Sequence, residues 1–141
     1  MQPKAVPVSI FPGLTKAAIH ALADELLCAA PNIIETCVQF VCAETCGVWH
    51  GRGRAMLCRR MKHVPLTPQQ QDRLTRCIVN RLASGKFSEQ FKDQLRLVLC
   101  LDAAAACAAA RSAAASSRPH VRRYAAWVLA HDARMIASLA A

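Results

Sequence analysis

Residues 67–85, TPQQQDRLTRCIVNRLASG, carry the clearest structural signal in the chain. Thr67 is followed directly by Pro68 and then by Gln70, a pattern that predicts a helix beginning with a capping box. The apolar residues of this stretch recur at helical spacing and are Leu74, Cys77, Ile78 and Leu82. Gly85 suits the left-handed position that commonly follows a helix. The stretch therefore predicts one amphipathic helix with a single buried face.

The same periodicity recurs along most of the chain. Apolar stripes bounded by Pro, Gly, Ser or Asp predict further helices at residues 14–29, 32–46, 54–63, 88–115 and 119–139. Asp102 either caps a separate helix, residues 103–115, or lies within one continuous helix. Gly47 is expected to end the second helix, and residues 47–53, GVWHGRG, to form a linker. We predict an all-α fold of about six short antiparallel helices, because short connections favour antiparallel neighbours.

Length and composition indicate one globular domain. The chain has 141 residues, of which 54% are hydrophobic, enough for a core of its own. Residues 1–13 contain three prolines and are expected to form an irregular N-terminal arm on the surface, leaving residues 14–141 as a single helical domain. The arm lacks the apolar segment of a secretory signal, and no apolar run approaches the ~18 residues of a membrane span. We therefore expect a cytoplasmic protein.

The charge is unevenly distributed. The formal net charge is +9, yet residues 1–51 carry two basic against four acidic side chains. Residues 52–141 carry sixteen basic against five acidic side chains. Such asymmetry predicts attraction to an acidic partner, which is either an acidic protein surface, a nucleic acid or an anionic lipid.

The eight cysteines are expected to be reduced and mostly buried, because many of them stand among aliphatic residues. Examples are Cys28, Cys37, Cys77 and Cys100. Cys42, Cys46 and His50 are spaced i, i+4, i+8, and Cys58 is a candidate fourth zinc ligand. The spacing lacks a C-x₂-C pair, and Gly47 interrupts the helix that would align these residues. We therefore predict no metal site.

No residue pattern indicates catalysis. A thiol nucleophile at Cys46 or Cys58, beside His50 or His63, would need an orienting acidic group, and the sequence shows none. The segment HGRGR, residues 50–54, is able to present backbone N–H groups and guanidinium groups to a phosphate, although it lacks the P-loop lysine. A turn that leads into a solvated basic helix explains the same residues. We predict neither an enzyme nor a cofactor.

The last predicted helix resembles a known repeat family. Residues 119–129, PHVRRYAAWVL, are similar to the second helix of HEAT repeats, whose pattern is a proline or aspartate followed by V-R-x-x-A-A-x-A-L. The matching residues are Val121, Arg122, Ala125, Ala126 and Leu129, and Val128 replaces the last alanine. The resemblance implies stacked helical hairpins and a binding role without chemistry. A short HEAT-like helical stack and a compact helical bundle are therefore the two arrangements expected.

The arginine-rich segments provide the candidate binding residues. The stretch 42–64 holds three cysteines, one tryptophan and a group of basic residues, and the start of the last helix adds three arginines. We predict partner contacts by Trp49, His50, Arg52, Arg54, Arg59, Arg60, Lys62, Arg118, Arg122 and Arg123. The function expected is that of a small helical adaptor or inhibitor that binds an acidic protein surface. The alternative is a nucleic-acid-binding module without sequence specificity, using phosphate contacts from the same face.

Overall fold

The computed structural model of the protein describes the backbone of residues 8–140 and the side chains of residues 10–88 and 90–140. Within these ranges the chain forms seven α-helices and no strand, which confirms the predicted all-α class. The helices are α1 (Lys16–Leu26), α2 (Pro31–Cys42), α3 (His50–Met61), α4 (Pro68–Ser84), α5 (Lys92–Leu101), α6 (Ala103–Ala113) and α7 (Pro119–Ala140). Short 3-10 helices, Val8–Gly13 and Glu89–Phe91, precede α1 and α5. None of the described helices is both long and apolar enough to cross a membrane.

Side-chain caps set where α4 and α6 begin. The hydroxyl of Thr67 accepts a hydrogen bond from Gln70 N at 3.1 Å, and Gln70 Oε1 accepts one from Thr67 N at 3.0 Å, so the predicted capping box is confirmed. Asp102 Oδ1 accepts a hydrogen bond from Ala105 N at 3.0 Å. Asp102 therefore separates two helices within residues 88–115. The prediction of about six helices is one too low for this reason.

The boundary between α2 and α3 differs from the prediction. The second helix ends at Cys42 and not at Gly47, because the backbone turns extended at the next residue. The third helix begins at His50 rather than at Arg54. The predicted linker, residues 47–53, is consequently helical from its fourth residue onward.

Close packing explains why a glycine lies inside α3. A Cβ atom at Gly53 would stand 2.8 Å from the Cγ2 atom of Ile19, closer than real Cβ atoms approach a neighbour. Glycine thus allows α1 and α3 to approach each other, although it costs about 0.5–1 kcal/mol relative to alanine within a helix. Trp49 has a left-handed backbone with φ of +70° and turns the chain into α3. Gly53 therefore permits close helix packing and does not mark a flexible linker.

Part of the N-terminal arm belongs to the core. Phe11 is only 1% exposed, and its ring packs edge-on against Phe40 with 5.5 Å between ring centroids. The expectation that the arm lies on the surface is therefore wrong at this position. Residues 1–7 of the predicted arm lie outside the described residues.

The helices pack in two alternating rows. In one row α1 contacts α3, which contacts α5, and in the other α2 contacts α4, which contacts α6. The rows pack against each other through α1 with α2 and α5 with α6, while α7 lies against α4, α5 and α6. The core between the rows includes Ile33, Leu57, Leu74, Ile78, Leu95, Val98 and Val121, all of them buried.

We expect Thr67→Ala to lower the free energy of unfolding by about 1 kcal/mol, because it removes the acceptor of the capping box. Urea denaturation followed by circular dichroism measures the change. Thr67→Ser is the matched control, since it keeps the hydroxyl and should stay close to the parent. Equal stability of the two variants would show that the capping box contributes nothing.

Candidate functional site

Two of the predicted binding residues, His50 and Arg54, are buried and do not belong to an exposed surface. Arg54 is 9% exposed, and its Nη2 atom donates to Ala43 O at 2.8 Å and to Thr45 Oγ1 at 2.6 Å. It also donates to Thr45 O. The guanidinium group thus holds the connection between α2 and α3 against the start of α3. The prediction that Arg54 faces a partner is wrong, because unpaired backbone carbonyls in this connection need a buried donor.

His50 fastens the same connection to the N-terminal segment. It is 1% exposed, and its ring lies 5.2 Å from that of Phe40. Nε2 lies 2.8 Å from Leu14 O, and Nδ1 lies 2.7 Å from Thr45 Oγ1. A carbonyl oxygen only accepts, so Nε2 carries the proton and Nδ1 accepts from the threonine hydroxyl. Both ring nitrogens are occupied, which leaves His50 unsuited to the partner contact or the zinc binding considered from the sequence.

A third buried cation, Arg81, completes this arrangement from α4. It is 6% exposed and donates to Glu44 Oε1 at 3.1 Å, to Gln94 Oε1 at 2.8 Å and to Ala43 O at 3.3 Å. Burial lowers the pKa of Arg54, and the positive charge of Arg81 lowers it further. The sequence does not reveal Arg81 as a buried residue. The one hint of burial in the sequence is that Arg81 lies between Ile78 and Leu82, which belong to the apolar stripe of α4.

We expect Arg54→Ala to lower the free energy of unfolding by about 3 kcal/mol, because the carbonyls of Ala43 and Thr45 lose a buried charged donor. Arg52→Ala is the matched control, since Arg52 is exposed two residues away and its removal should change stability by less than about 0.5 kcal/mol. Denaturant unfolding of both variants measures the difference. Equal losses would contradict a structural role for Arg54.

The other predicted residues are less buried, but several have partners within the protein. Arg60 Nη1 contacts Asp24 Oδ1 at 3.2 Å. Arg118 donates to Ser84 O at the end of α4, and Arg122 donates to Ser116 O at 2.7 Å in the turn before α7. Trp49 is half-buried, with the ring of His20 at 4.7 Å and Lys16 Nζ at 5.4 Å. The exposed members are Arg52, Arg59, Lys62, Arg118, Arg122 and Arg123.

Helix α5 connects the basic residues of α3 to those of α7. Asp93 contacts Arg59 on α3 at 2.7 Å and Arg96 on α5 at 3.1 Å. The guanidinium carbon of Arg96 lies 5.1 Å from the centroid of the Trp127 ring on α7, and Lys92 Nζ lies 5.6 Å from it. The predicted joint surface of α3 and α7 therefore runs across α5, which the sequence did not suggest.

Charges from all three helices meet around α7. Burial lowers the pKa of His131, and repulsion from Arg134, Arg96 and Lys62 lowers it further, so these cations are close enough to influence the ring. Arg123 lines a cavity of about 280 Å³ together with Lys92, Tyr124 and Trp127. We call this region the basic surface; it consists of Arg59, Lys62, Lys92, Arg96, Arg123, Trp127 and Arg134. Trp127, with His131 stacked on its ring at 5.0 Å, lies near its middle.

A signal for the missed residues is present in the sequence. Lys92 and Arg96 are four residues apart, and Arg123, Trp127, His131 and Arg134 are spaced i, i+4, i+8, i+11. Both spacings place side chains on one helix face. The sequence does not reveal that these two faces adjoin, because only the packing of α5 on α7 brings them together.

The cysteines are all free, but fewer are buried than predicted. Cys37, Cys58 and Cys107 are buried, Cys42 and Cys77 are half-buried, and Cys28, Cys46 and Cys100 are exposed. The expectation of burial is wrong for Cys28, which lies beyond the end of α1, and for Cys100 on the outer side of α5. Among the described residues no group of three or more His, Cys, Asp or Glu side chains is arranged to hold a metal.

Cys42 and Cys77 form a thiol pair between α2 and α4. Each sulfur also contacts backbone across this interface: Cys42 Sγ lies 3.9 Å from Arg73 O, and Cys77 Sγ lies 3.8 Å from Cys42 O. A hydrogen bond from Cys42 lowers the pKa of Cys77 to about 7, aided by the charge of Arg81. The same contact, together with burial, raises the pKa of Cys42. Cys77 is therefore the more acidic of the two thiols.

We expect alkylation of Cys77 by iodoacetamide to rise with pH through a midpoint near 7, because only the thiolate reacts. Peptide mass spectrometry of samples quenched at successive pH values gives the midpoint. In Cys42→Ala the midpoint should move up toward the ordinary value of about 8.5. An unchanged midpoint in that variant would rule out the hydrogen bond as the cause.

Comparison with known proteins adds no relative. No protein-family model, no curated protein and no solved structure matches the chain. Function therefore has to be inferred from the residues of the chain itself.

Proposed function

We propose that the protein is a small helical adaptor or inhibitor that binds an acidic protein surface through the basic surface of α3, α5 and α7. The observation that supports this most directly is the excess of cations around Trp127. Six basic side chains from three helices share this region with two carboxylates: Asp93, which pairs with Arg59 and Arg96, and Asp132, next to His131.

The composition of the basic surface suits a protein partner. Tryptophan and arginine are enriched at interface centres, where a rigid ring and planar guanidinium groups make large contacts. Trp127 is half-buried with Lys92 and Arg96 against its ring, so an aromatic side chain lies within a positive field. Complementary charge accelerates encounter and excludes partners of the wrong sign more than it adds affinity. An acidic surface is therefore the expected complement.

A nucleic acid is the alternative partner. Lys62, Arg123 and Arg134 form no ion pair within the described part of the chain, and such side chains suit phosphate contacts. Binding of single strands without sequence preference also uses aromatic rings on which bases stack. The ring of Trp127 already contacts His131, Lys92 and Arg96, and that of Trp49 contacts His20 and Lys16. Occupied rings favour the protein partner.

We further propose that the two rows of helices are a short HEAT-like stack and that the protein acts in the cytosol. Support for the stack comes from the alternating contacts of odd-numbered and even-numbered helices. Support for the compartment comes from the eight free cysteines, since reduced thiols are typical of the cytosol.

The proposed function is tested by charge reversal on the basic surface. We expect the triple variant Lys62→Glu, Arg123→Glu, Arg134→Glu to bind a fluorescent 30-residue polyglutamate at least about ten-fold more weakly than the parent, because three attractive contacts become repulsive. Fluorescence anisotropy measures the affinity. The matched control is Lys16→Glu, Arg52→Glu, Lys86→Glu, which changes the net charge equally at exposed positions that form no ion pair in the described part of the chain and are not part of the basic surface.

Equal weakening by the two triple variants would contradict a defined binding surface, because net charge alone would then explain the attraction. The same titration with single-stranded and duplex DNA of 30 nucleotides, at increasing salt, separates the two partners. The nucleic-acid alternative is favoured if DNA binds more tightly than polyglutamate and if only the triple variant of the basic surface, and not the control triple variant, abolishes that binding.

A further inference from the structure

An apolar groove lies beside the basic surface, between α5 and α6 on one side and the C-terminal part of α7 on the other. Its volume is about 540 Å³, within the range of cavities that bind ligands. Its apolar lining includes Leu99, Ala103, Cys107, Met135, Ile136 and Leu139. Three of these are large apolar side chains left strongly exposed: Met135 at 52%, Ile136 at 59% and Leu139 at 84%.

The groove has the dimensions of a helix-binding site. Along α6 it extends from Ala103 to Arg111, which is roughly 12 Å at the rise of an α-helix. Side chains at i and i+7 of a bound helix span roughly 10.5 Å. The wall formed by Ala103 and Ala104 has small side chains, so a second helix is able to approach closely. The groove therefore matches two turns of an amphipathic helix with apolar anchors at i, i+3 or i+4, and i+7.

The charged side chains at the mouth of the groove indicate which residues would flank the apolar anchors of that helix. Arg96 and Arg111 line the groove, together with His131. Asp132 is the one carboxylate among the described residues of the lining. The mouth thus carries an excess of positive charge that acidic side chains would complement.

We propose that this groove binds an acidic amphipathic helix of a partner protein, with apolar anchors in the groove and Glu or Asp side chains toward Arg96 and Arg111. The proposal rests on the proposed function and specifies the partner's chemistry. Arg96 belongs to both the basic surface and the groove, so one bound helix contacts both.

Two other occupants fit the groove less well. A second copy of the chain carries the same net charge of +9, and matching grooves would bring their arginines together. An anionic bilayer complements the charge, but its surface is flat, whereas the groove is concave between α6 and α7. An acidic helix satisfies both the shape and the charge.

The test is selection from a displayed library of 18-residue helical peptides on the immobilised full chain. Three positions at i, i+4 and i+7 vary among Ala, Leu, Phe and Met, and the flanking positions vary among Glu, Gln and Lys. We expect enriched peptides to combine large apolar anchors with Glu flanks. Enrichment of Lys flanks, or of no peptide at all, would overturn the proposal.

Variants of the groove then localise the binding. We expect the double variant Ile136→Ser, Leu139→Ser to bind the selected peptides at least about ten-fold more weakly, because each anchor loses apolar contact. Both side chains are exposed, so circular dichroism should show unchanged helicity. The matched control is Val48→Ser, Leu27→Ser, which removes two exposed apolar side chains, 91% and 69% exposed, outside the groove. Equal affinity of the groove variant and the control variant would refute the groove as the site.

The outcomes distinguish this inference from the proposed function. If the charge-reversal triple variant weakens polyglutamate binding but the groove variant leaves the affinity for the peptides unchanged, the proposed function stands and the groove inference fails. If the charge-reversal triple variant binds polyglutamate as tightly as the parent, the proposed function itself fails. Two further results would overturn the inference. One is self-association in sedimentation experiments that the groove variant abolishes. The other is binding to anionic phospholipid vesicles, in place of peptide, that the groove variant abolishes.

Discussion

The connection between α2 and α3 depends on two buried guanidinium groups that share one carbonyl oxygen. Arg54 from α3 and Arg81 from α4 both donate to Ala43 O, at 2.8 and 3.3 Å. The connection is only partly buried, but its carbonyls at Ala43 and Thr45 turn toward buried side chains, and carbonyls turned away from water need a donor. Because these donors come from different helices, the same contacts fix α2, α3 and α4 relative to one another. His50 extends the arrangement to the N-terminal segment through Leu14 O.

This arrangement divides the arginines of the chain into two groups with different roles. The buried group satisfies backbone and side-chain acceptors, and its charge is committed to the fold. Of the more accessible arginines, Arg59, Arg96 and Arg123 lie around Trp127, and Arg96 also lines the apolar groove. A positive field next to an apolar groove favours a partner that presents acidic and apolar side chains together. Burial thus determines which charges are available for binding.

Local features of the fold were predictable because they depend on neighbours in sequence. The capping box of Thr67 and Gln70 and the apolar stripe of α4 both follow from residue spacing within one helix. The position of α3 was not predictable in this way. Gly51 and Gly53 indicate a linker, and only the structure shows Ile19 of α1 packed on Gly53. The candidate site was predicted in part: Arg59, Lys62 and Arg123 belong to the basic surface, whereas Lys92, Arg96 and Trp127 were missed.

By itself the sequence determined the helical class, most helix boundaries and the excess of positive charge in the second half of the chain. These properties arise from local periodicity, capping and composition, which require no knowledge of distant contacts. Only the tertiary structure decided that Arg54 is internal while Arg59 is external, and that α5 joins the basic faces of α3 and α7. The physical reason is that a charged side chain is buried where the fold surrounds it with hydrogen-bond acceptors. The sequence alone does not show which acceptors those are.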